Sequence, residues 1–282
     1  MSRIELLDSD ISGGRNLINR HLEALAFPLE SWVEDNIFKA QISLLGYEKK
    51  LIGYAATKNT ILETFHVLKE HSRHAPAAFS RVIETKKIER VRMMTHDYFL
   101  AALLAEWDYE KVKGACFFID TANPENLKNE TFDEGFRIAL SGELEAIRLI
   151  SGKFFDEPGG GFSTLEERIA AETIFVIEDG SKLLGCGIIE KSRLFPGWTS
   201  IGMFTNPEYR NRGVAKKMLL NIKRQVYRLG LKPLAGCWYY NTLSRRSLES
   251  AGMVAASIGY DAILKGKEEV PLQTALPPQE PV

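Results

Sequence analysis

Long hydrophobic runs, a strong charge of either sign and a rich supply of cysteine are all missing from this sequence, and each absence excludes a class of protein. The 282 residues carry 36 basic and 37 acidic side chains, a formal net charge of −1. No global field therefore draws the chain to nucleic acid or to an anionic membrane, and neither partner is expected. The longest strongly apolar stretch, Tyr98 to Ala105, is too short to span a bilayer. Met1 to Ser12 carries Arg3, Glu5, Asp8 and Asp10 and no apolar segment, unlike a signal peptide. The cysteines, Cys116, Cys186 and Cys237, are odd in number, widely spaced and set in apolar sequence, so buried reduced thiols and a cytoplasmic location are expected. His66, His71 and His74 have no helical H-E-x-x-H and no companion Cys pair; they read as a solvated loop, and no metal is expected.

What is present is an alternating α/β pattern, clearest in the second half. A strand at Phe136 to Leu140 leads to a helix from a Ser141 cap through Phe155, a loop with Gly159 to Gly161, and a helix from Ser163. Strands follow at Thr173 to Ile177, Leu183 to Glu190 and Trp198 to Thr205, with Asp179-Gly180 and Pro196-Gly197 as turns. From Gly213 to Leu229 the residues Val214, Met218, Ile222, Val226 and Leu229 make one apolar helical face. Lys216, Lys217, Lys223, Arg224 and Arg228 read as its exposed basic side. A strand at Leu234 to Tyr240, a short helix around Ser244 to Ser250 and a strand at Val254 to Leu264 complete the unit. The proline-rich tail, 267–282, has little to bury and is expected to lack elements of its own.

The first half repeats this order. Ser12-Gly13 matches Ser141-Gly142 at an offset of 129, Lys50-Leu51-Ile52-Gly53 matches Lys182-Leu183-Leu184-Gly185 at 132, and Asp97 matches Asn241 at 144. The offset grows in one direction, as loop insertions in a second copy produce. Strand Val91 to Thr95, helix Tyr98 to Trp107 and strand Val112 to Ile119 then reproduce the end of the second half. Two copies of one fold are expected, 1–120 and 130–266, joined by the polar linker Thr121 to Thr131.

The most informative stretch runs Ile201-Gly202-Met203-Phe204-Thr205-Asn206-Pro207-Glu208-Tyr209-Arg210-Asn211-Arg212-Gly213-Val214-Ala215. It is a strand that turns tightly into the long helix. Free N–H groups and the positive end of the helix macrodipole gather at such a helix start, which suits a pyrophosphate that the backbone can approach closely. Gly213 and Ala215 leave that approach open, and Arg210 and Arg212 add positive charge. R-x-x-G-x-A alone is a common pattern. Here it follows an apolar strand, opens an amphipathic helix and is trailed by Asn241-x-x-Ser244 and Ala251-Gly252-Met253.

On these residues the second half resembles the GNAT superfamily of acetyl-CoA-dependent N-acetyltransferases. The resemblance implies tandem mixed sheets flanked by helices, with the catalytic sheet splayed between its fourth and fifth strands around the pantetheine arm of acetyl-CoA. It further implies that backbone groups of Phe204 and Thr205 hold the pantetheine, that N–H groups from Asn211 through Gly213 and Val214 to Ala215 hold the pyrophosphate, and that Asn241 and Ser244 line the other wall. The first half aligns Glu70-His71-Ser72-Arg73-His74-Ala75-Pro76-Ala77 with Glu208 onward. Ala75 replaces Gly213 and Pro76 removes a donor, so that copy is expected to be degenerate and without a coenzyme site.

Acetyl transfer to an amine calls for a base, oriented N–H groups and an acid. Many GNAT enzymes carry a Tyr seven positions after the Asn, where this chain has Leu248, and no acidic residue lies between Trp198 and Thr205. Tyr239, Tyr240 and Glu190 are weak catalytic candidates by location, and Trp198 and Trp238 flank the expected gap. Asp156 and Glu157, before the three glycines, point to a cationic amine entering there, either a small molecule or a peptide. Two other classes stay open: a non-catalytic acyl-CoA sensor and a scaffold or interaction protein.

Overall fold

The computed structural model of the chain describes residues 4–122 and 124–265. The first half runs β1 (Glu5–Ser9), α1 (Arg15–Ala24), α2 (Ser31–Phe38), β2 (Gln41–Tyr47), β3 (Lys50–Lys58), β4 (Ile61–Val67), α3 (Ala75–Lys86), β5 (Arg90–Met94), α4 (Tyr98–Leu104) and β6 (Tyr109–Asp120). A short helix, α5 (Pro124–Lys128), follows. The second half then repeats the order: β7 (Phe136–Ile138), α6 (Leu144–Ser151), α7 (Leu165–Ala170), β8 (Ile174–Asp179), β9 (Lys182–Lys191), β10 (Trp198–Thr205), α8 (Val214–Arg228), β11 (Lys232–Trp238), α9 (Thr242–Ser250) and β12 (Met253–Leu264). The proline-rich tail lies outside the described residues. Among those described, no helix is long and apolar enough to cross a membrane.

The two halves share one 12-stranded mixed sheet in the order β1-β2-β3-β4-β5-β12-β6-β11-β10-β9-β8-β7. Each half has handed its last strand to the other. β12 pairs with β5 from Gly259↔Met94 to Ile263↔Arg90, and β6 pairs with β11 from Leu234↔Ile119 to Trp238↔Ala115. The two exchanged strands also pair antiparallel with each other, from Met253↔Asp120 to Leu264↔Tyr109. The order is therefore symmetric about the β6/β12 pair, as in a domain-swapped dimer whose subunits have been fused. Its consequence is that the edges of β5 and β11 are covered rather than left as unpaired backbone.

Helices cover both faces. α3 and α4 bury Phe79, Val82 and Leu100 against Phe65, Val91 and Met93, while α1 and α2 bury Ile18, Val33 and Ile37 against Ile42 and Tyr54. Leu194, in the β9–β10 loop of the second half, is buried in that α1/α2 cluster. The same loop is tied to α2 by Glu34, which accepts from the Ser192 hydroxyl and, at 2.9 Å, from the Arg193 N–H. α2 thus lies over the second half.

The expected stripe of α8 is buried at Val214, Met218, Ile222 and Val226, whereas Leu229 is 48% exposed. The helix has already ended there, and Gly230 turns the chain at φ 72°. Its basic side is only partly a free face: Lys216 is exposed, but Lys223, Arg224 and Arg228 are engaged. Lys223 is buried, with Nζ 2.7 Å from Asp120 Oδ1 and donating to the Ala251 carbonyl at 2.6 Å. Arg224 pairs with Glu130 at 2.6 Å, and Arg228 lies over the Phe132 ring at 3.9 Å. The segment between the halves crosses this side, and the cations hold it.

Candidate functional site

β10 and β11 run parallel and pair only from Trp198↔Lys232 to Ser200↔Leu234. Beyond Ser200, β10 continues to pair with β9 as far as Thr205↔Gly185, while β11 follows β6, so the two strands part. Their gap opens into a cavity of about 720 Å³. Met203 and Phe204 line one wall, Gly236, Cys237 and Trp238 the other, and Asn241, Ser244 and Leu248 of α9 close the side.

The chain leaves β10 through a turn that ends at the open start of α8. Asn206 shapes this turn, accepting from the Glu208 N–H at 3.2 Å and donating to the Leu183 carbonyl at 2.9 Å. Asn211 and Gly213 take left-handed conformations, φ 61° and 77°. No side chain caps α8, and a Cβ built on Gly213 would meet nothing within 4 Å. The first-turn N–H groups, which lack carbonyl partners in any helix, thus face open space beside exposed Arg210 and Arg212. A helix start of this kind is suited to an anion.

The equivalent place in the first half is closed. A 3-10 turn, Lys69–His74, runs straight into α3; Ala75 is buried at φ −61°, and Pro76 occupies the first helical turn. β4 and β5 also pair only from Ile61↔Arg90 to Leu62↔Val91, but Glu63 and Arg92 bridge the parting strands at 2.7 Å. Nearby, His66 is buried on β4 rather than solvated in a loop, and stacks on His21 at 4.5 Å. His21 lies 2.7 Å from the Tyr54 hydroxyl and 3.3 Å from Asp97. Burial pushes His66 and His96 down to about 4. Among the described residues, no cluster of His, Cys, Asp and Glu is arranged to hold a metal.

The cavity extends past the gap to a polar end roofed by the first half, through Glu30, Ser31, Trp32 and Asp35. Opposite them stand Glu190 on β9, Ser200 on β10 and Arg168 on α7. Arg168 is buried and pairs with Glu190, and its other donors reach the carbonyls of Phe155, Glu157 and Gly159 at 2.9 to 3.2 Å. The Ser31 hydroxyl lies 2.8 Å from Glu30 Oε1 and 2.9 Å from Glu190 Oε2. The Ser31 N–H donates to Ser200 Oγ at 2.9 Å, and the Trp32 N–H to Glu30 Oε2 at 2.9 Å. Burial pushes the Glu30 carboxyl up to about 6 against these hydrogen bonds.

Of the residues singled out in the sequence, Phe204, Asn241, Ser244 and Glu190 line the cavity, and Thr205 follows Phe204 at the end of β10. Asn241 also caps α9, accepting from the Ser244 N–H at 3.0 Å. Glu190 is committed to Arg168. Tyr239 and Tyr240 are not on the cavity wall: the Tyr239 hydroxyl accepts from Lys113 at 3.1 Å, and Tyr240 is 56% exposed. Trp238 stands at the mouth, whereas Trp198 lies off the wall beside Lys232. Cys237 is half-buried and lines the gap, unlike the buried thiols of Cys116 and Cys186. Asp156 is held by Arg148 at 3.0 Å and accepts from the Leu165 N–H, which leaves Glu157 on the rim. The glycine loop is tied down too, the Gly160 N–H donating to Asp35 at 3.1 Å. Glu30 and its neighbours escaped the sequence reading, because Glu30-Ser31 shows only a helix start and nothing local reveals which surface that helix will cover.

Two family models match the chain, one for an acetyltransferase (GNAT) domain over residues 11–121 and one for the acetyltransferase (GNAT) family over residues 144–253. Among solved structures, an acetyltransferase from the GNAT family from Colwellia psychrerythraea is 17% identical, with 93% of this chain and 100% of that one covered at a TM-score of 0.79. A tandem GNAT protein from the clavulanic acid biosynthesis pathway is 10% identical, with coverages of 92% and 98% and a TM-score of 0.60. A GCN5-related N-acetyltransferase from Sphaerobacter thermophilus is 15% identical, with coverages of 94% and 97% and a TM-score of 0.58. At such identities the likeness is one of fold. Comparison with curated proteins gave no match.

Proposed function

Because this chain belongs to the GNAT acetyltransferases, as a tandem of two such domains, we propose that its second half transfers an acetyl group from acetyl-CoA to a primary amine of a small molecule or peptide. The observation that carries this reading is the parting of β10 and β11 directly beside the uncapped start of α8. A flexible arm fits the gap, and a pyrophosphate fits the helix start. In this reading the N–H groups from Asn211 to Ala215 hold the pyrophosphate, with Arg210 and Arg212 adding charge. Backbone groups of Phe204 and Thr205 meet the pantetheine, and Asn241 and Ser244 form the facing wall. The acceptor enters at the polar end, past Trp32 and Glu157, and attacks the thioester directly.

The first half, with Ala75 and Pro76 at its turn, takes no coenzyme and serves as strand donor and roof. The test is calorimetric titration with acetyl-CoA together with thermal unfolding. One site per chain is expected, with stabilisation of about 2.7 kcal/mol at a hundredfold excess over Kd. Two sites, or none, would refute the assignment. Release of coenzyme thiol in the presence of amines separates an enzyme from a sensor that only binds.

A further inference from the structure

We infer that Glu30, a residue of the first half, is the general base for acetyl transfer in the second half, so that the catalytic site is assembled from both. This rests on the coenzyme reading above, but its observations are separate. The first is position. Ser200 belongs to the last paired rung of β10 and β11, so it marks the point where the strands part. Its hydroxyl accepts from the Ser31 N–H, which fixes Glu30 over that point. On β11, Gly236 leaves open the space that Glu30 fills: a Cβ there would lie 3.3 Å from the Glu30 Cγ and Cδ. From Thr205 back to Ser200 is about 17 Å of extended strand. An arm anchored at the start of α8 and laid along β10 brings its far end to Glu30.

The second observation concerns partners. Glu190 faces the cavity from β9 and is paired with Arg168 of α7; Asp35 of α2 is paired with Arg193; Asp261 of β12 shares Arg92 of β5 with Glu63. β6 and β11 present no titratable group to the cavity save the Cys237 thiol, as Gly114, Ala115, Phe117, Gly236 and Trp238 are their other wall residues, and β12 adds Tyr260. Glu30 alone of these recessed carboxylates is held only by neutral donors, from Ser31, Trp32 and Ser200. Taking up a proton there breaks no ion pair.

The third observation is the count of protons. The Ser31 hydroxyl has one to give, yet it lies within hydrogen-bond distance of both Glu30 and Glu190. It can donate to only one of them at a time, so when it turns to Glu190 the near oxygen of Glu30 is left free to take up a proton. Burial, which raises Glu30 to about 6, agrees with a group that is mostly ionised at neutral pH and still able to hold a proton.

Glu30 takes one proton from the acceptor's ammonium group, and the freed nitrogen lone pair forms the C–N bond at the acetyl carbonyl carbon. The C–S bond breaks with its electron pair on sulfur, and the thiolate takes the second N–H proton. Glu30 then gives its proton to solvent.

The experiment compares wild type with Glu30→Gln and Glu30→Asp. The Gln variant keeps an amide oxygen to cap α2, which separates the structural role from the chemical one. Calorimetry measures acetyl-CoA affinity, and thiol release is followed from pH 5 to 9 with a lysine peptide, spermidine, glucosamine and phenylethylamine; if none is turned over, water is the acceptor. The expected result is unchanged affinity in both variants, kcat/KM lowered by roughly 10²- to 10⁴-fold in Glu30→Gln with loss of the acid limb near 6, and partial recovery in Glu30→Asp. A Gln variant within threefold of wild type and showing the same acid limb overturns the inference. So does a wild type that binds acetyl-CoA but releases no thiol with any amine or with water. If acetyl-CoA fails to bind wild type, the coenzyme reading itself falls, and the base assignment falls with it.

Discussion

Replacing Lys223 with methionine tests what ties the exchanged strands into one molecule. Asp120 is the last residue of β6, Lys223 sits on α8, and the carbonyl of Ala251 precedes β12, so a single ammonium joins three segments from both halves. The ion pair is 2.7 Å long, and its side chains are 1% and 2% exposed. Removing one member of such a pair leaves a buried charge uncompensated, which costs about 3–5 kcal/mol. Here the loss should fall at the lower end, about 3 kcal/mol, because Asp120 still accepts from the Tyr227 hydroxyl at 2.6 Å and the Ala122 N–H at 3.2 Å. In a chain of this size that corresponds to a Tm lower by about 6–12 °C. Urea unfolding followed by tryptophan fluorescence gives the free energy directly. Adding Asp120→Asn to Lys223→Met should recover about 1 kcal/mol or more, since the stranded charge is then gone. A loss below about 1 kcal/mol in the single variant would refute the reasoning, as the exchanged strand would then be held without the pair.

Three other outcomes follow from the geometry. Gly213→Asp should abolish acetyl-CoA binding in calorimetry, because it forces a β-carbon onto a residue at φ 77° and sets a carboxylate beside the anion site, while Arg210→Ala should weaken binding only severalfold. On lowering the pH from 7 to 5, urea unfolding should show a loss of about 2 kcal/mol: His66 and His96 have folded pKa values near 4, below the unfolded value, so the unfolded chain binds more protons, and the opposite effect of Glu30 offsets only part. Stability that stays flat or rises over that interval would contradict their burial as neutral rings. Asp156→Asn should lower Tm by a few degrees through lost contacts to Arg148 and Leu165, whereas Glu157→Gln should leave Tm unchanged and reduce kcat/KM for cationic amines about twofold at low salt.

Local patterns carried most of the fold. The apolar stripe of α8, the turns at Gly180 and Gly197, and the left-handed Gly213 each express a backbone requirement within a few residues, so β10 and α8 stand where their sequences place them. The turn from β10 into α8, where the coenzyme is proposed to sit, was legible for the same reason. The polar end was not. Ser31, which places Glu30, meets Ser200 and Glu190 across 169 and 159 positions, and nothing in the sequence around it marks those partners. The strand exchange was equally hidden, since β6 would show the same alternation beside β5 or beside β11. Lys223 misled for a related reason: a lysine among basic residues on one helix side reads as exposed until the segment that crosses it is known.

If the first half takes no coenzyme, as proposed, the exchange gives a physical reason for its presence. In a simple tandem, a half whose turn has become Ala75-Pro76 could be lost at little cost to the other. Here β11, one wall of the gap, has β6 of the first half as its neighbour on the side away from β10, and α2 of the first half covers the polar end. Removing the first half would strip β11 of its pairing from Leu234 to Trp238 and expose its edge opposite the gap, leaving that wall without support. The constraint runs the other way as well, because β5 relies on β12. Changes at the Ala75-Pro76 turn therefore leave the second half's sheet intact, while loss of β6 or of α2 does not. The framework of the first half and its contacts to the polar end are thus required whether or not its own turn binds a coenzyme.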